Sequence, residues 1–206
     1  MKALLICGIL SPVLYAIADV VAGLQLEGYS FRDQTISELG AIGAPSRPLF
    51  AVLLLVVYGL MVAFGVGIRK AAGGNRRLKI VGGLLVGVGV LALTVGQFAP
   101  MRPRGTDQGL AGALHLVEGG LAMLLIFTAM GIAATAFGTG FRIYTIATIV
   151  LALGFGAWAV SEALQIEQGL ATPWIGVKER IFWYGYQSWY IVLALNLLKP
   201  KSGDRL

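Results

Sequence analysis

Asp19, Glu118 and Glu162 each fall inside a long apolar stretch, and so does the single histidine of the sequence, His115. Ionisable groups are expensive in hydrocarbon and normally face a bundle interior or a wet cavity. A carboxyl held away from water keeps its proton more readily and can then serve as a general acid. Glu118, His115, Asp19 and Glu162 are therefore the candidate catalytic residues, with His115 as the acid–base partner. Such a set suits lipid ester or amide hydrolysis. It also suits isoprenoid cyclisation started by protonation, because aromatic faces stabilise cations. His115 and Glu118 stand at i and i+3 and share a helical face, while Tyr15–Asp19 and Trp158–Glu162 stand at i and i+4. One histidine and one cysteine, Cys7, fall short of the usual zinc set, so neither a metal nor a cofactor is expected. No Gly-x-Ser-x-Gly elbow is present, and Ser37 and Ser161 have no neighbouring base in sequence.

The elements that must position these groups follow from composition. Of 206 residues, 57% are hydrophobic and only 13% charged, about half the usual charged share of a soluble domain. With a mean hydropathy of +0.81, this excludes a disordered chain and a water-soluble globule. The 29 glycines lack a Gly-X-Y period, which excludes collagen, and a lone cysteine excludes a disulfide framework. Six apolar stretches are long enough to cross a bilayer: Ala3–Gly23, Pro48–Ile68, Ile80–Ala99, Gly109–Phe137, Ile143–Gln165 and Ile181–Leu198. Period-2 patterning is absent, which disfavours a β-barrel. The expected fold is all-α, a polytopic six-helix bundle forming one transmembrane domain over residues 1–206. Pro12 should kink the first helix, and Gly83 and Gly87 form a GxxxG pair suited to helix contact. A cleaved signal peptide is not expected, because the first apolar run continues to Gly23. Leu4-Leu5-Ile6-Cys7 resembles a lipoprotein box only superficially, and Cys7 reads as a small apolar helix residue.

Charge sets the orientation. Lys2, the loop with Arg69, Lys70, Arg76, Arg77 and Lys79, Arg142, and the tail with Lys199, Lys201 and Arg205 against Asp204 hold most of the basic residues. The positive-inside rule places them, and both termini, in the cytoplasm. The net charge of +6 is then a topology signal, and no nucleic-acid partner is expected. The acids Glu27, Asp33, Glu38, Asp107, Glu167 and Glu179 fall on the opposite side. At about 1.5 Å per residue, Asp19, His115, Glu118 and Glu162 lie within roughly 15 Å of that outer boundary. This pattern implies a polar cavity opening outward.

Two segments should surround the cavity. The first outer loop runs from Gly28 to Pro48. Thr35 and Glu38 are spaced as a capping box, Gly40, Gly43 and Pro45 break the turn, and Ser46-Arg47-Pro48 suits the start of the second helix. This loop is either an interfacial cap or a direct contact with ligand through Ser37, Glu38 or Arg47. The sixth stretch opens Ile181-Phe-Trp-Tyr-Gly-Tyr-Gln-Ser-Trp-Tyr190. An interfacial aromatic belt explains most of these rings, yet so long a run must also face inward. Lys178, Glu179 and Arg180 precede it, positioned to hold headgroup phosphates or to pair with outer acids. The ligand-binding candidates are Ser37, Glu38, Arg47, Asp107, Arg180, Trp158, Trp183 and Tyr186.

Thr35-Ile-Ser-Glu-Leu-Gly-Ala followed by Pro45 and Phe50 resembles the signature of a bacterial membrane family, "domain of unknown function 998". Phe98-Ala-Pro100, Asp107 ahead of a helix with His115, and Gly176-Val-Lys-Glu-Arg180 fit it too. The Ser–Gly–Pro–Phe order is more distantly similar to the outer loop of the damage-regulated autophagy modulator and GPI-lipid-remodelling membrane families. The resemblance implies a six-helix bundle in a bacterial inner membrane and lipid-related work, without supplying a reaction.

The first expectation is a multi-pass cell-membrane protein that binds a lipid or amphiphilic small molecule, with Arg47, Arg102, Arg104 and Arg180 positioning its anionic group and His115 and Glu118 orienting it. The alternative is the intramembrane enzyme outlined above. A proton-coupled transporter fits less well, because the acids are confined to one side and no strong inverted repeat is present.

Overall fold

A peptide unit in hydrocarbon has no water to bond with, so an apolar run must satisfy its backbone internally. Each long apolar run is helical in the computed structural model, which describes residues 1–199. The order is α1 (Lys2–Gln25), a 3-10 turn (Ser37–Gly40), α2 (Arg47–Ala71), α3 (Arg76–Leu91) continued by a π turn (Ala92–Gly96), α4 (Gly109–Ala134), α5 (Thr139–Val160), the short α6 (Ala163–Glu167) and α7 (Ile175–Leu198). Among the described residues there is no strand. The tail residues Lys201, Asp204 and Arg205 lie outside the described residues.

Five stretches are long and apolar enough to cross a membrane: Lys2–Gln25, Arg47–Ala71, Arg76–Gly96, Gly109–Ala134 and Thr139–Glu167. The sixth long helix, α7, is aromatic and polar rather than aliphatic over its first half, and it packs between α5 and α1. Tyr186, Gln187, Trp189, Tyr190, Leu193 and Ala194 are all shielded. The Trp189 indole N–H meets the Thr145 hydroxyl of α5 at 3.0 Å, so this buried donor is satisfied.

The packing order closes a ring. α1 packs on α2, α2 on α3, α3 on α4, α4 on α5, α5 on α7, and α7 returns to α1. One core cluster joins Phe64, Ile68, Leu85, Ile126, Met130, Trp189 and Leu193. A second joins Tyr15, Ala18, Ala22, Phe50 and Val57 to Ile36 and Leu39 of the first loop. That loop is therefore part of the core and roofs one end of the bundle. The opposite end carries Lys2, Arg69, Lys70, Arg76, Arg77, Lys79, Arg142 and Lys199. There Arg77 Nη1 donates to the Thr135 carbonyl at 2.9 Å and Arg142 Nε to Ala134 at 3.4 Å. Two cations thus neutralise the negative end of α4.

Two local expectations change. α4 stops at Ala134, before Phe137, and α5 starts at Thr139 and breaks at Ser161. Glu162 consequently lies at the junction of α5 and α6, within the apolar stretch Thr139–Glu167. Pro12 does not end α1, which continues as helix to Gln25. The close helix contact does not use Gly83 and Gly87. A Cβ on Gly83 would meet nothing nearer than Arg69 Nη1 at 3.5 Å, and one on Gly87 nothing nearer than Leu125 Cδ1 at 3.8 Å. A Cβ on Gly82 would stand 2.5 Å from the Gly65 carbonyl oxygen, and one on Gly89 3.0 Å from that of Tyr58. Gly82 and Gly89, seven apart, form the α3 face that meets α2. Spacing alone does not say which face has a neighbour.

Gly82→Ala should cost about 1–3 kcal/mol through overpacking, whereas Gly83→Ala should be neutral or stabilise by up to about 1 kcal/mol through helix propensity. Thermal unfolding of both variants in detergent checks this, and the reverse ranking would refute the assigned α2–α3 contact.

Candidate functional site

The roof of the site is built by local bonds first. The Thr35 N–H donates to Glu38 Oε2 at 2.7 Å, and the Glu38 N–H donates back to Thr35 Oγ1 at 3.3 Å. This is the reciprocal capping box that the spacing predicts, and it starts the 3-10 turn. Arg104 then clamps Glu38 with two bonds, Nε to Oε1 at 2.8 Å and Nη2 to Oε2 at 3.0 Å. The Ile42 N–H donates to the Met101 carbonyl at 3.0 Å, and the Gly105 N–H to Ile166 at 2.9 Å. All three loops at this end are thereby tied together.

The first loop also caps α7. The first N–H groups of any helix lack intrahelical partners. Here the Gly176 and Val177 N–H groups both donate to the Arg32 carbonyl, at 3.0 and 3.3 Å, and the Trp174 N–H donates to Asp33 Oδ1 at 3.0 Å. The neighbouring Arg32 guanidinium and that N–H hold the Asp33 carboxyl down at about 2. The Ile36 N–H and the Ser37 hydroxyl both donate to the Glu179 carboxylate. Loop and helix lie so close at Gly176 that a Cβ there would stand 2.5 Å from the Phe31 carbonyl oxygen and closer still to that of Gln34.

Most of the ionisable candidates are consumed by this assembly. Arg180 Nε and Nη2 grip both oxygens of Asp19 at 2.8 and 2.7 Å. Its remaining donors reach the Tyr29 hydroxyl at 2.7 Å and the carbonyls of Phe31 at 2.7 Å, Gly176 at 3.1 Å and Gln34 at 3.2 Å. Asp19 also accepts from the Tyr184 hydroxyl. Lys178 pairs with Glu162 and lies 4.3 Å from the centre of the Trp158 ring. The other Glu162 oxygen, Oε2, is buried without a partner. Asp107 accepts from the Gly109 N–H at 2.9 Å at the start of α4. Arg102 turns to the Asp107 carbonyl at 3.2 Å.

The remaining candidates converge. A cavity of about 150 Å³ lies under the roof, bounded by α1, α2, the π turn, α4 and α7. Ser37, Arg47, His115, Glu118 and Trp183 line it, joined by Tyr15, Tyr58 and Gln97. A smaller chamber of about 30 Å³ continues inward past Glu118, walled by Tyr58, Trp183 and Tyr186. Asp19, Glu38, Asp107, Trp158, Glu162 and Arg180 line neither chamber. His115 Nδ1 lies 3.0 Å from the Ala99 carbonyl. A carbonyl can only accept, so Nδ1 carries the proton and Nε2 is left as an acceptor. The Glu118 carboxyl and the Arg47 guanidinium make no hydrogen bond or ion pair with any of the described residues.

Two features of the site were not read from sequence. One is Tyr58, a lone polar ring in an aliphatic helix and thus a detectable signal. The other is the π turn, which carries Ala92, Gly96 and the following Gln97 to the cavity and for which the sequence holds no cue. Single-turn π insertions are frequent at functional sites. Among the described residues, no group of three His, Cys, Asp or Glu side chains is placed to hold a metal ion.

Together the fold and site define a multi-pass helical membrane protein with an ionisable cavity under an interlocked loop cap. The chain belongs to the family described as "Protein of unknown function (DUF998)", whose model matches residues 9–196. No curated protein and no solved structure matches the chain, and the more distant likeness to the autophagy-modulator and GPI-lipid-remodelling families is not confirmed.

Asp19→Asn should destabilise the protein by about 3–5 kcal/mol, because it strands the buried Arg180 guanidinium. Glu118→Gln, which breaks no bond, should stay within about 0.5 kcal/mol of wild type. Denaturant or thermal unfolding in detergent measures both. Equal losses would mean that Glu118 has a structural partner.

Proposed function

We propose that the protein binds a lipid or amphiphilic small molecule in this cavity, from the extracytoplasmic side, with Arg47 taking the anionic group. The observation that carries this reading is the contrast between occupied and unoccupied charges. Asp19, Glu38, Glu162, Arg104, Lys178 and Arg180 are all spent on one another, while Arg47 and Glu118 meet in one cavity with no protein partner. Leaving charges unpaired away from water costs free energy that an incoming ligand can offset.

Size limits what enters. Cavities that enclose a whole drug-sized ligand run to about 300–1,000 Å³, and a void of about 150 Å³ accepts a benzene-sized molecule. A headgroup fits the cavity and two acyl chains do not. The chains would lie outside, along the apolar stripe of Leu110, Leu114, Val117 and Leu121, which α4 leaves exposed. The concentration of Lys and Arg at the other end of the bundle supports a cytoplasmic placement for that end. The capped end and its cavity then face outward, in the cell membrane and, by family, the bacterial inner membrane.

A second reading has its own observation. His115 has Nε2 available as a base one turn from Glu118 on the same face of α4, an arrangement suited to acid–base chemistry on a bound lipid. Incubation with extracted membrane lipids, followed by mass analysis of products, distinguishes turnover from binding.

Native mass spectrometry of the protein in mild detergent should retain one amphiphile per chain. Arg47→Ala should weaken that retention by about 10–100-fold, the worth of a charge-assisted hydrogen bond. Asp107→Asn, outside the cavity, should retain it. Wild-type occupancy in Arg47→Ala would overturn the proposal.

A further inference from the structure

We infer that the group bound in this cavity is a zwitterion with a primary ammonium at Glu118 and a phosphate-type anion at Arg47, the chemistry of ethanolamine phosphate. This rests on the binding proposal above and adds the ligand class.

Charge comes first. A simple anion would neutralise Arg47 and leave the Glu118 carboxylate facing an apolar chamber, and a simple cation would do the converse. A zwitterion satisfies both ends in one event. No Lys and no second Arg lines either chamber, so no protein cation competes for Glu118. His115 is held through its Nδ1–H by Ala99, and its free Nε2 can accept one hydrogen bond from a ligand donor.

The walls around Glu118 select a cation. Trp183 stacks on Tyr15 with ring centres 5.6 Å apart and leans on Tyr186 at 5.4 Å. Trp183, Tyr186 and Tyr58 wall the inner chamber that Glu118 lines, and Tyr15 lines the outer cavity. Aromatic faces attract ammonium groups electrostatically, most strongly where water is excluded. A carboxylate in an aromatic enclosure is thus a cation site twice over.

Volume selects which cation. The inner chamber of about 30 Å³ has room for a group of about two small heavy atoms, since one water needs roughly 10–15 Å³ of such space. A primary ammonium is of that size and brings three N–H donors, for the carboxylate, the Tyr58 hydroxyl and a ring face. A trimethylammonium is several times larger and brings no donor. The site therefore prefers ethanolamine-type over choline-type headgroups.

The ligand has two possible sources, an intact lipid headgroup or a free soluble zwitterion, and the test separates them. Delipidated protein in detergent is presented with phosphatidylethanolamine, phosphatidylglycerol and phosphatidylcholine of identical chains, and retention is read by native mass spectrometry. Free O-phosphoethanolamine is tested in parallel by thermal shift. The expected result is phosphatidylethanolamine retained one per chain, with the other two at least tenfold weaker. Glu118→Gln should abolish the preference over phosphatidylglycerol, Glu118→Asp, which keeps the charge, should preserve the ranking, and Arg47→Ala should lose all three. Gel filtration and circular dichroism confirm that each variant is folded. A thermal shift with O-phosphoethanolamine, absent in Glu118→Gln and without lipid retention, supports the zwitterion and assigns a soluble source. Equal retention of phosphatidylethanolamine and phosphatidylglycerol, unchanged in Glu118→Gln but lost in Arg47→Ala, overturns the zwitterion and leaves the binding proposal standing. Equal retention of phosphatidylcholine overturns the primary-ammonium assignment. No retention of any lipid and no thermal shift overturns both readings.

Discussion

The Arg180 guanidinium is the point on which the capped end of the molecule depends. One planar group fixes the carboxylate of Asp19 in α1, the hydroxyl of Tyr29, and loop carbonyls at Phe31 and Gln34. It thereby joins the first helix, the first loop and the last helix, which are remote in sequence. A buried ion pair adds little net stability, since desolvation offsets much of the Coulomb attraction. What it supplies is geometry. All three guanidinium nitrogens of Arg180 are taken by fixed acceptors, so the loop has one place to sit. The residues that follow Gln34 are Thr35, Ile36 and Ser37, which form the roof, and the loop ends at Arg47. The cavity inherits its shape from a pair of charges that does not line it.

That arrangement divides the ionisable residues into two groups with different work. Asp19 with Arg180, Glu38 with Arg104, and Glu162 with Lys178 hold segments together. Arg47, His115 and Glu118 face the space that results. The division follows partner availability rather than depth. Asp19 and Glu118 both lie within long apolar helices, yet one accepts three charge-assisted or hydroxyl bonds and the other none. Asp33 and Glu179 belong with the first group, because they accept the N–H groups of the α7 start and of the loop, positions where negative charge complements unsatisfied donors.

How much of this was legible in the sequence depends on range. Hydropathy is a local sum, so the long helices and their number follow from composition along the chain. The Thr35–Glu38 capping box spans three residues and was readable for the same reason. The gathering of the acids at the capped end was readable because it needs only parity of spans, although Arg32, Arg47, Arg102, Arg104, Lys178 and Arg180 share that end. Pairing was not. Asp19 and Arg180 are 161 residues apart, and the sequence offered Arg180 equally to a headgroup or to an outer acid. Hydropathy places Glu162 within an apolar stretch but registers neither the break at Ser161 nor the pairing with Lys178. Gly83 and Gly87 matched a contact motif, but the neighbouring helix lies on the face of Gly82 and Gly89. The site was half legible. The residue types that form it were nameable, and the choice of Arg47 and Glu118 from among them required knowing which charges are already spent.

The last question is why a bundle would keep Glu118 at all. A helix position facing a chamber of this size would be more stable with leucine, which would fill the space and add about 1.5–3 kcal/mol of burial. The surroundings work against any such filling. On the α3 side the carboxylate meets Gly96, with a would-be Cβ only 3.2 Å from Oε1, and the next residue on its own helix is Gly119. The π turn at Ala92–Gly96 gives up regular α-helical bonding to carry that glycine to the carboxylate. α4 itself is anchored at its ends, by Asp107 at one and by Arg77 on the Thr135 carbonyl at the other, so its middle can face an opening without loosening the helix. The unfilled chamber, the glycine front and the π turn each cost stability in the empty protein. They share one consequence, a negatively charged, glycine-fronted, aromatic-walled space the size of a small cation. Departures from local packing rules concentrate where function requires them, and here they all point at the same carboxylate.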